Sequence, residues 1–116
     1  MIPTDMLKET IYLMKVVAEC KNGIRANDIF GRYGGEEFFI ILPNIEIEDT
    51  VKLADRIREN IYIRPVSSHE GKEIYITISL GVATNNKTIN SVEQQLTEAD
   101  KAMYKAKKNG KNRVET

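Results

Sequence analysis

The residues best suited to chemistry are two glutamates that follow two glycines, in the run Arg32-Tyr33-Gly34-Gly35-Glu36-Glu37-Phe38. Glycines at a hairpin tip let backbone N–H groups approach a phosphate closely, because no Cβ intervenes. Adjacent carboxylates beside that tip point in different directions. One or both can hold Mg²⁺, a hard cation that prefers carboxylate and phosphate oxygens. A glycine turn, acidic metal ligands and phosphates together point to metal-assisted phosphoryl or nucleotidyl transfer. The same run is also what an ordinary Gly-Gly hairpin with two solvated glutamates looks like, so the residues alone leave both readings open.

The elements that must position this run are legible from periodicity. Leu7, Ile11, Met14, Val17 and Cys20 recur at helical spacing, which predicts a helix from Thr4 to about Cys20, capped by Thr4 or Asp5 and ended by Asn22-Gly23. Asp28–Tyr33 and Glu37–Leu42 are short strand-like runs around Gly34-Gly35, a tight-hairpin signal because primed turns need positive φ. Phe38–Leu42 is apolar on both faces, which predicts a central position in a sheet, and Pro43-Asn44 stops it. A second helix is expected from Glu48 to Ile61, burying Leu53, Ala54, Ile57 and Ile61.

A second hairpin is expected next, from Ile63–Ser67 through a turn at His69–Lys72 into a return strand, Glu73–Ala83. In that return strand Ile74, Ile76, Ile78, Leu80 and Val82 alternate with Tyr75, Thr77, Ser79 and Gly81, a period-two strand signal. His69 sits in the polar turn, as a solvated side chain. After a polar loop, Asn85–Asn90, a last helix from Ser91 to about Asn109 buries Val92, Leu96, Ala99, Met103 and Ala106. Gly110 caps it and Asn112–Glu115 forms a closing edge strand. The order α-β-β-α-β-β-α-β predicts an α+β fold, an antiparallel-rich central sheet with helices packed on it.

Bulk properties bound the function. A chain of 116 residues holds one domain at most. Hydrophobic residues at 41% and charged residues at 29% fit a soluble globular protein. Lysine plus arginine equals aspartate plus glutamate, at 17 each, so no basic excess argues for a nucleic-acid polymer as partner. No apolar run reaches the roughly 18–20 residues of a membrane span, and no signal-peptide pattern opens the chain, which predicts a cytoplasmic location. Cys20 has no second cysteine to pair with and fits the helical apolar stripe as a small buried hydrophobe.

Gly34-Gly35-Glu36-Glu37-Phe38 resembles the signature of the GGDEF domain, the diguanylate cyclase family, in its GGEEF form. Three more blocks agree in order and spacing. Thr77–Ala83 resembles the family's S-[IL]-G-V-A strand, Ala99–Lys107 its A-D-x-A-[ML]-Y-x-A-K helix, and Lys108–Asn112 the x-x-G-[RK]-N that follows. The resemblance runs from roughly Leu13 to the C-terminus. It implies a nucleotidyl-cyclase-like fold with a ferredoxin-like core, and a cyclic di-GMP signalling role in which two GTP condense to cyclic di-GMP and two pyrophosphates.

By matching position, the resemblance assigns metal binding (Mg²⁺ or Mn²⁺) to Glu36, and metal binding or deprotonation of the attacking 3′-hydroxyl to Glu37. Gly34, Gly35, Lys107 and Lys111 would contact GTP phosphates, and Phe38 would be core. Lysines near a helix C-terminus also suit the dipole with no ligand present, so both readings of Lys107 and Lys111 stand. Two GTP-loaded protomers of a homodimer would face each other. Arg25-Ala26-Asn27-Asp28 is an R-x-x-D with five residues between Asp28 and Gly34, matching the family's inhibitory cyclic di-GMP site, to which Arg56 would add a cation. Arginine can fork onto guanine O6 and N7, and aspartate can accept from the guanine N–H edge.

The family's D-x-L-T-G-L-x-N-R segment, its D-x-D-x-F-K first strand and its N-D-x-x-G-H turn do not occur in the 116 residues. The expectation is therefore a single partial domain over residues 1–116, lacking the first strand and helix and inactive alone, with any sensory or regulatory domain outside these residues. Two alternatives are a non-catalytic cyclic di-GMP receptor using the R-x-x-D site, and a scaffold that only dimerises or regulates.

Overall fold

A computed structural model describes residues 4–34, 37–65, 67–69, 72–85 and 91–116, with side chains described for 14–32, 37–65, 73–85 and 91–116. The first helix, α1 (Thr4–Gly23), runs three residues beyond the expected end. Its buried face is carried by Cys20 with Val16 packed beside it, while Met14 is 67% exposed and lies off that stripe. Burial pushes the Cys20 thiol up to about 11, with the Glu19 carboxylate as a smaller contribution, so the side chain behaves as the expected hydrophobe.

Strands β1 (Ile29–Gly34) and β2 (Glu37–Ile41) form the antiparallel hairpin. The register pairs Ile29 with Ile41 and Arg32 with Phe38, then skips Tyr33 and pairs Gly34 with Glu37. One extra residue on β1 makes this a β-bulge next to the signature. Gly34 is thus the last strand residue rather than half of the turn, and Gly35 and Glu36 lie outside the described residues. Phe30 and Phe38 stack at 5.5 Å on one face, which also carries Ile40. The expectation that Phe38–Leu42 is central is not met. Among the described residues β2 pairs with β1 alone, and its residues are half-buried rather than buried.

Helix α2 (Ile47–Tyr62) starts at Glu46, whose carbonyl accepts from the Thr50 amide at 3.0 Å and hydroxyl at 3.1 Å. Glu48 and Asp49 in its first turn suit the positive end of the helix dipole. Ala54, Ile57 and Ile61 are buried as expected, and Leu53 packs beside them. Ile57, Ile61 and Cys20 form the centre of the core, with Val16, Phe30, Ile40, Ile76 and Ile78 around them.

The second hairpin is shorter than its sequence pattern. Strands β3 (Ser67–His69) and β4 (Lys72–Ile74) pair antiparallel, with His69 opposite Lys72 at the strand ends rather than inside the turn. Ile63 is not strand. Its amide donates to the Glu59 carbonyl at 2.9 Å, so it closes α2. The long return strand is also interrupted: β4 ends at Ile74 and β5 covers only Leu80–Gly81. Between them exposure still alternates, with Ile76 and Ile78 inward and Tyr75 and Thr77 outward. The alternation expresses which face is buried. A ladder needs a neighbour too, and no described strand pairs with 75–79.

Helix α3 (Val92–Lys108) opens on a capping box. Ser91 Oγ accepts from the Gln94 amide at 3.1 Å, and the Gln94 side chain returns to the Ser91 amide at 3.4 Å. Ala102 and Ala106 are buried, whereas Val92, expected inside, is 54% exposed because it sits in the first turn beyond the β5 contact. An added Cβ on Gly81 would strike the Ala99 carbonyl and the Met103 amide, so only glycine lets β5 and α3 lie backbone to backbone. Strand β6 (Val114–Glu115) then pairs parallel with β5, Leu80 opposite Val114. The expected edge strand is present. The fold is α+β as read from sequence, but the described strands form three two-stranded pieces rather than one continuous central sheet.

Candidate functional site

Two charged regions carry the residues singled out from the sequence. The first is the turn between α1 and β1. Arg25 and Asp28 close on each other through the Arg25 amide to Asp28 Oδ2 (2.7 Å), Nε to Oδ2 (3.3 Å) and NH2 to Oδ1 (3.1 Å). NH2 also reaches the Pro43 carbonyl at 2.9 Å, tying the turn to the end of β2, and the Asp28 amide donates back to the Arg25 carbonyl at 3.1 Å. The Asp28 side chain is 0% exposed beneath an Arg25 side chain that is 58% exposed. The hydrogen bond from Arg25 holds the Asp28 carboxyl below its ordinary value of 3.8, with the guanidinium charge acting in the same direction.

Arg56 does not join this pair through any described contact. It lies with Lys52, Asp55, Arg58, Asn112 and Arg113 along an open cleft between α2 and the segment after α3. The R-x-x-D elements are thus built as a unit, while Arg56 lines the cleft beside α2.

The second region is a cleft of ≈ 300 Å³ between the start of β2 and α3. Glu37 lines it from the hairpin, and Asp100, Lys101, Met103, Tyr104 and Lys107 line it from the helix. Residues 100, 103, 104 and 107 follow the i, i+3, i+4, i+7 spacing of one helical face. The structure therefore brings together two residues far apart in sequence, Glu37 and Lys107. Asp100 is a carboxylate that the sequence reading quoted within its helix block but did not assign. The helical spacing from Asp100 to Lys107 was the signal for it. Lys101 is drawn towards Glu98 at 3.2 Å, and Lys108 stacks on the Tyr104 ring at 4.9 Å. Lys111 stands outside this cleft, exposed on the loop after α3.

Of the remaining expected site residues, Gly34 is paired with Glu37, and Gly35 and Glu36 fall outside the described residues. Among the described residues no group of three His, Cys, Asp or Glu side chains is placed to hold a metal ion. Among them, too, no helix is long and apolar enough to cross a membrane.

The fold is α+β, with a bulged glycine–glutamate hairpin set against a lysine-bearing helix. The family description "Diguanylate cyclase, GGDEF domain" matches residues 11–113, and the chain belongs to that family. It is 38% identical over 104 residues to Diguanylate cyclase A of Treponema denticola, covering 90% of this chain and 28% of that protein. The chain spans roughly a quarter of the length of the curated relatives it matches. Among solved structures, the active GGEEF domain of a diguanylate cyclase from Vibrio cholerae superposes with a TM-score of 0.78 at 31% identity, covering 90% of this chain and 65% of that one. The GGDEF domain of DgcB from Caulobacter crescentus, in complex with c-di-GMP, gives 0.80 at 26% identity, covering 90% and 61%.

Proposed function

We propose that this protein acts in cyclic di-GMP signalling as a GGDEF domain of the diguanylate cyclase type. Residues 1–116 then hold one face of the GTP site. The observation that carries this reading is the cleft shared by Glu37 and Lys107 beside the glycine-rich hairpin. Gly34 and Gly35 would present backbone N–H groups to phosphate, and Lys107 and Lys111 would pair with phosphate oxygens as point charges. Glu36 and Glu37 would hold Mg²⁺ or Mn²⁺. The fit to this chain is one of donor chemistry: the Glu37 carboxylate opens onto the cleft and offers hard oxygen atoms. When bound, the ion neutralises phosphate charge and lowers the pKa of the attacking hydroxyl.

In the reaction each 3′-oxygen bonds to the α-phosphorus of the other GTP as the bond to pyrophosphate breaks. The hydroxyl proton is taken up by a base, a role that suits Glu37. Two nucleotides must face each other, which calls for a homodimer.

A specific observation also favours a receptor reading. Arg25 and Asp28 are already paired, and the Arg25 side chain remains exposed where a guanine edge could be met. The 116 residues assayed by themselves are expected to bind cyclic di-GMP more tightly than GTP, because they carry the R-x-x-D elements as a built unit. By itself it is expected not to form product, since Glu36 and Glu37 have no first-strand aspartate opposing them within the 116 residues.

Calorimetry and mass spectrometry test these readings together. Cyclic di-GMP binding should weaken at least about tenfold, about 1.4 kcal/mol, in Arg25→Ala. Unchanged affinity would remove the receptor reading. GTP with Mg²⁺ or Mn²⁺ should bind without yielding cyclic di-GMP. Product that disappears in Glu37→Gln would overturn the expected inactivity, and failure to bind GTP at all would remove the cyclase reading.

A further inference from the structure

The loop after α3 adopts an unusual backbone. Gly110, Lys111 and Asn112 lie at φ 121°, 63° and 47°, three consecutive residues in left-handed territory. The first turn of this path is a helix stop: the Lys111 amide reaches back to the Ala106 carbonyl at 2.9 Å, the 6→1 bond that accompanies a left-handed glycine. That bond accounts for Gly110. It does not account for Lys111, which carries a Cβ atom and disfavours this conformation unless neighbours impose it, whereas asparagine, as at Asn112 and Asn44, enters it more readily.

The neighbours are side chains. Arg58 on α2 donates from NH1 to Asn112 Oδ1 at 2.9 Å, a part-buried bond spanning 54 residues of sequence. Arg58 is itself oriented by Asp55, whose Oδ1 accepts from Nε at 2.8 Å. Its side chain is only 19% exposed, so little freedom remains to it. Arg113 folds back over Gly110 and donates from Nε to the Lys111 carbonyl at 3.2 Å. Asp55, Arg58 and Asn112 thus form a relay from the surface of α2 to the loop, and the exposed Lys111 immediately precedes its end point.

We infer that Arg58, oriented by Asp55 and acting through Asn112, is a positioning residue that holds the left-handed Gly110–Asn112 loop so that Lys111 is presented to a nucleotide phosphate. The inference rests on the proposed reading of Lys111 as a phosphate contact. A flexible lysine must lose conformational freedom to bind, and a fixed backbone under it removes part of that loss before the ligand arrives. Arg58 can hold Asp55 and Asn112 together because its planar guanidinium offers several donors in fixed directions, which a lysine ammonium does not.

The decisive variant is Asn112→Gly. It leaves net charge unchanged and tolerates positive φ, but it removes the acceptor for Arg58. GTP with Mg²⁺, titrated calorimetrically into the full 116-residue chain, is expected to bind about tenfold more weakly to Lys111→Ala and about three- to tenfold more weakly to Asn112→Gly. The double variant should be no weaker than Lys111→Ala alone, because groups acting as one unit are not additive. Arg58→Lys should fail to restore what Arg58→Ala loses.

Backbone chemical shifts of residues 110–112 should leave the left-handed range in Arg58→Ala, with the melting temperature recorded to confirm folding. GTP affinity unchanged in Lys111→Ala would defeat the phosphate reading beneath the inference. A weakened Lys111→Ala beside an unaffected Asn112→Gly, additive losses, or an unmoved loop in Arg58→Ala would defeat the relay itself while leaving that reading intact.

Discussion

Arg25 and Asp28 lie three residues apart and close their charges on each other, whereas Glu37 and Lys107 come from opposite parts of the chain and face one cleft with no described bond between them. In the first region the ion pair is satisfied locally, so the turn is preformed, and a ligand must exchange existing bonds for new ones. In the second, α3 and the hairpin bring opposite charges to one cleft with no described bond between Glu37 and Lys107. One region is set by neighbours in sequence. The other depends on where α3 is seated.

The strongest way to break this contrast is to unseat α3. Gly81→Ala places a Cβ against the Ala99 carbonyl and the Met103 amide, with backbone rather than a flexible side chain in the way. Overpacking of this kind costs about 1–3 kcal/mol and occasionally more, and urea denaturation should show at least that loss. GTP binding should fall much further than cyclic di-GMP binding. Equal losses would mean that the two regions are not independent.

A gentler change sharpens the same comparison. Lys107→Ala should weaken GTP binding by roughly tenfold, about 1.4 kcal/mol, while leaving cyclic di-GMP affinity unaltered and stability within about 0.5 kcal/mol. Calorimetry with both nucleotides on one preparation decides it. Loss of cyclic di-GMP affinity would move the product site towards α3.

The smallest expected effect concerns acid. Arg25 holds the Asp28 carboxyl below its unfolded value, so its contribution to stability is present above the ordinary carboxylate range and is lost as pH falls through the depressed value. Melting temperatures followed downward from about pH 5 should show an acid-dependent decrease that is diminished in Asp28→Asn. An identical pH profile in that variant would show the pair to be energetically silent.

Much of this molecule was legible locally. The β1–β2 hairpin, the start of α3 near Ser91, the buried face of α2 and the glycine that ends α3 each follow from interactions within a few residues, and a sequence records those directly. Period-two alternation over 74–82 correctly separated inward Ile76 and Ile78 from outward Tyr75 and Thr77. It could not say that 75–79 would lack a ladder among the described residues, because pairing is a property of two segments. Met14 and Val92 fit their helical stripes and are nevertheless exposed, since a stripe is buried only along the length that another element covers.

Family membership and α+β class were determined by the sequence alone: four ordered motif blocks and two clear periodicities suffice when each encodes a local preference. Only the tertiary structure decided that Glu37 and Lys107 share a cleft with Asp100, that Arg56 lines a cleft with Arg58 and Asn112, and that Arg58 grips Asn112 across 54 residues. Those facts depend on how far α3 can approach β5 over Gly81 and on which face of α2 meets the last loop. Distances between remote segments are set by packing, and packing energy belongs to pairs of surfaces that no single stretch of sequence contains.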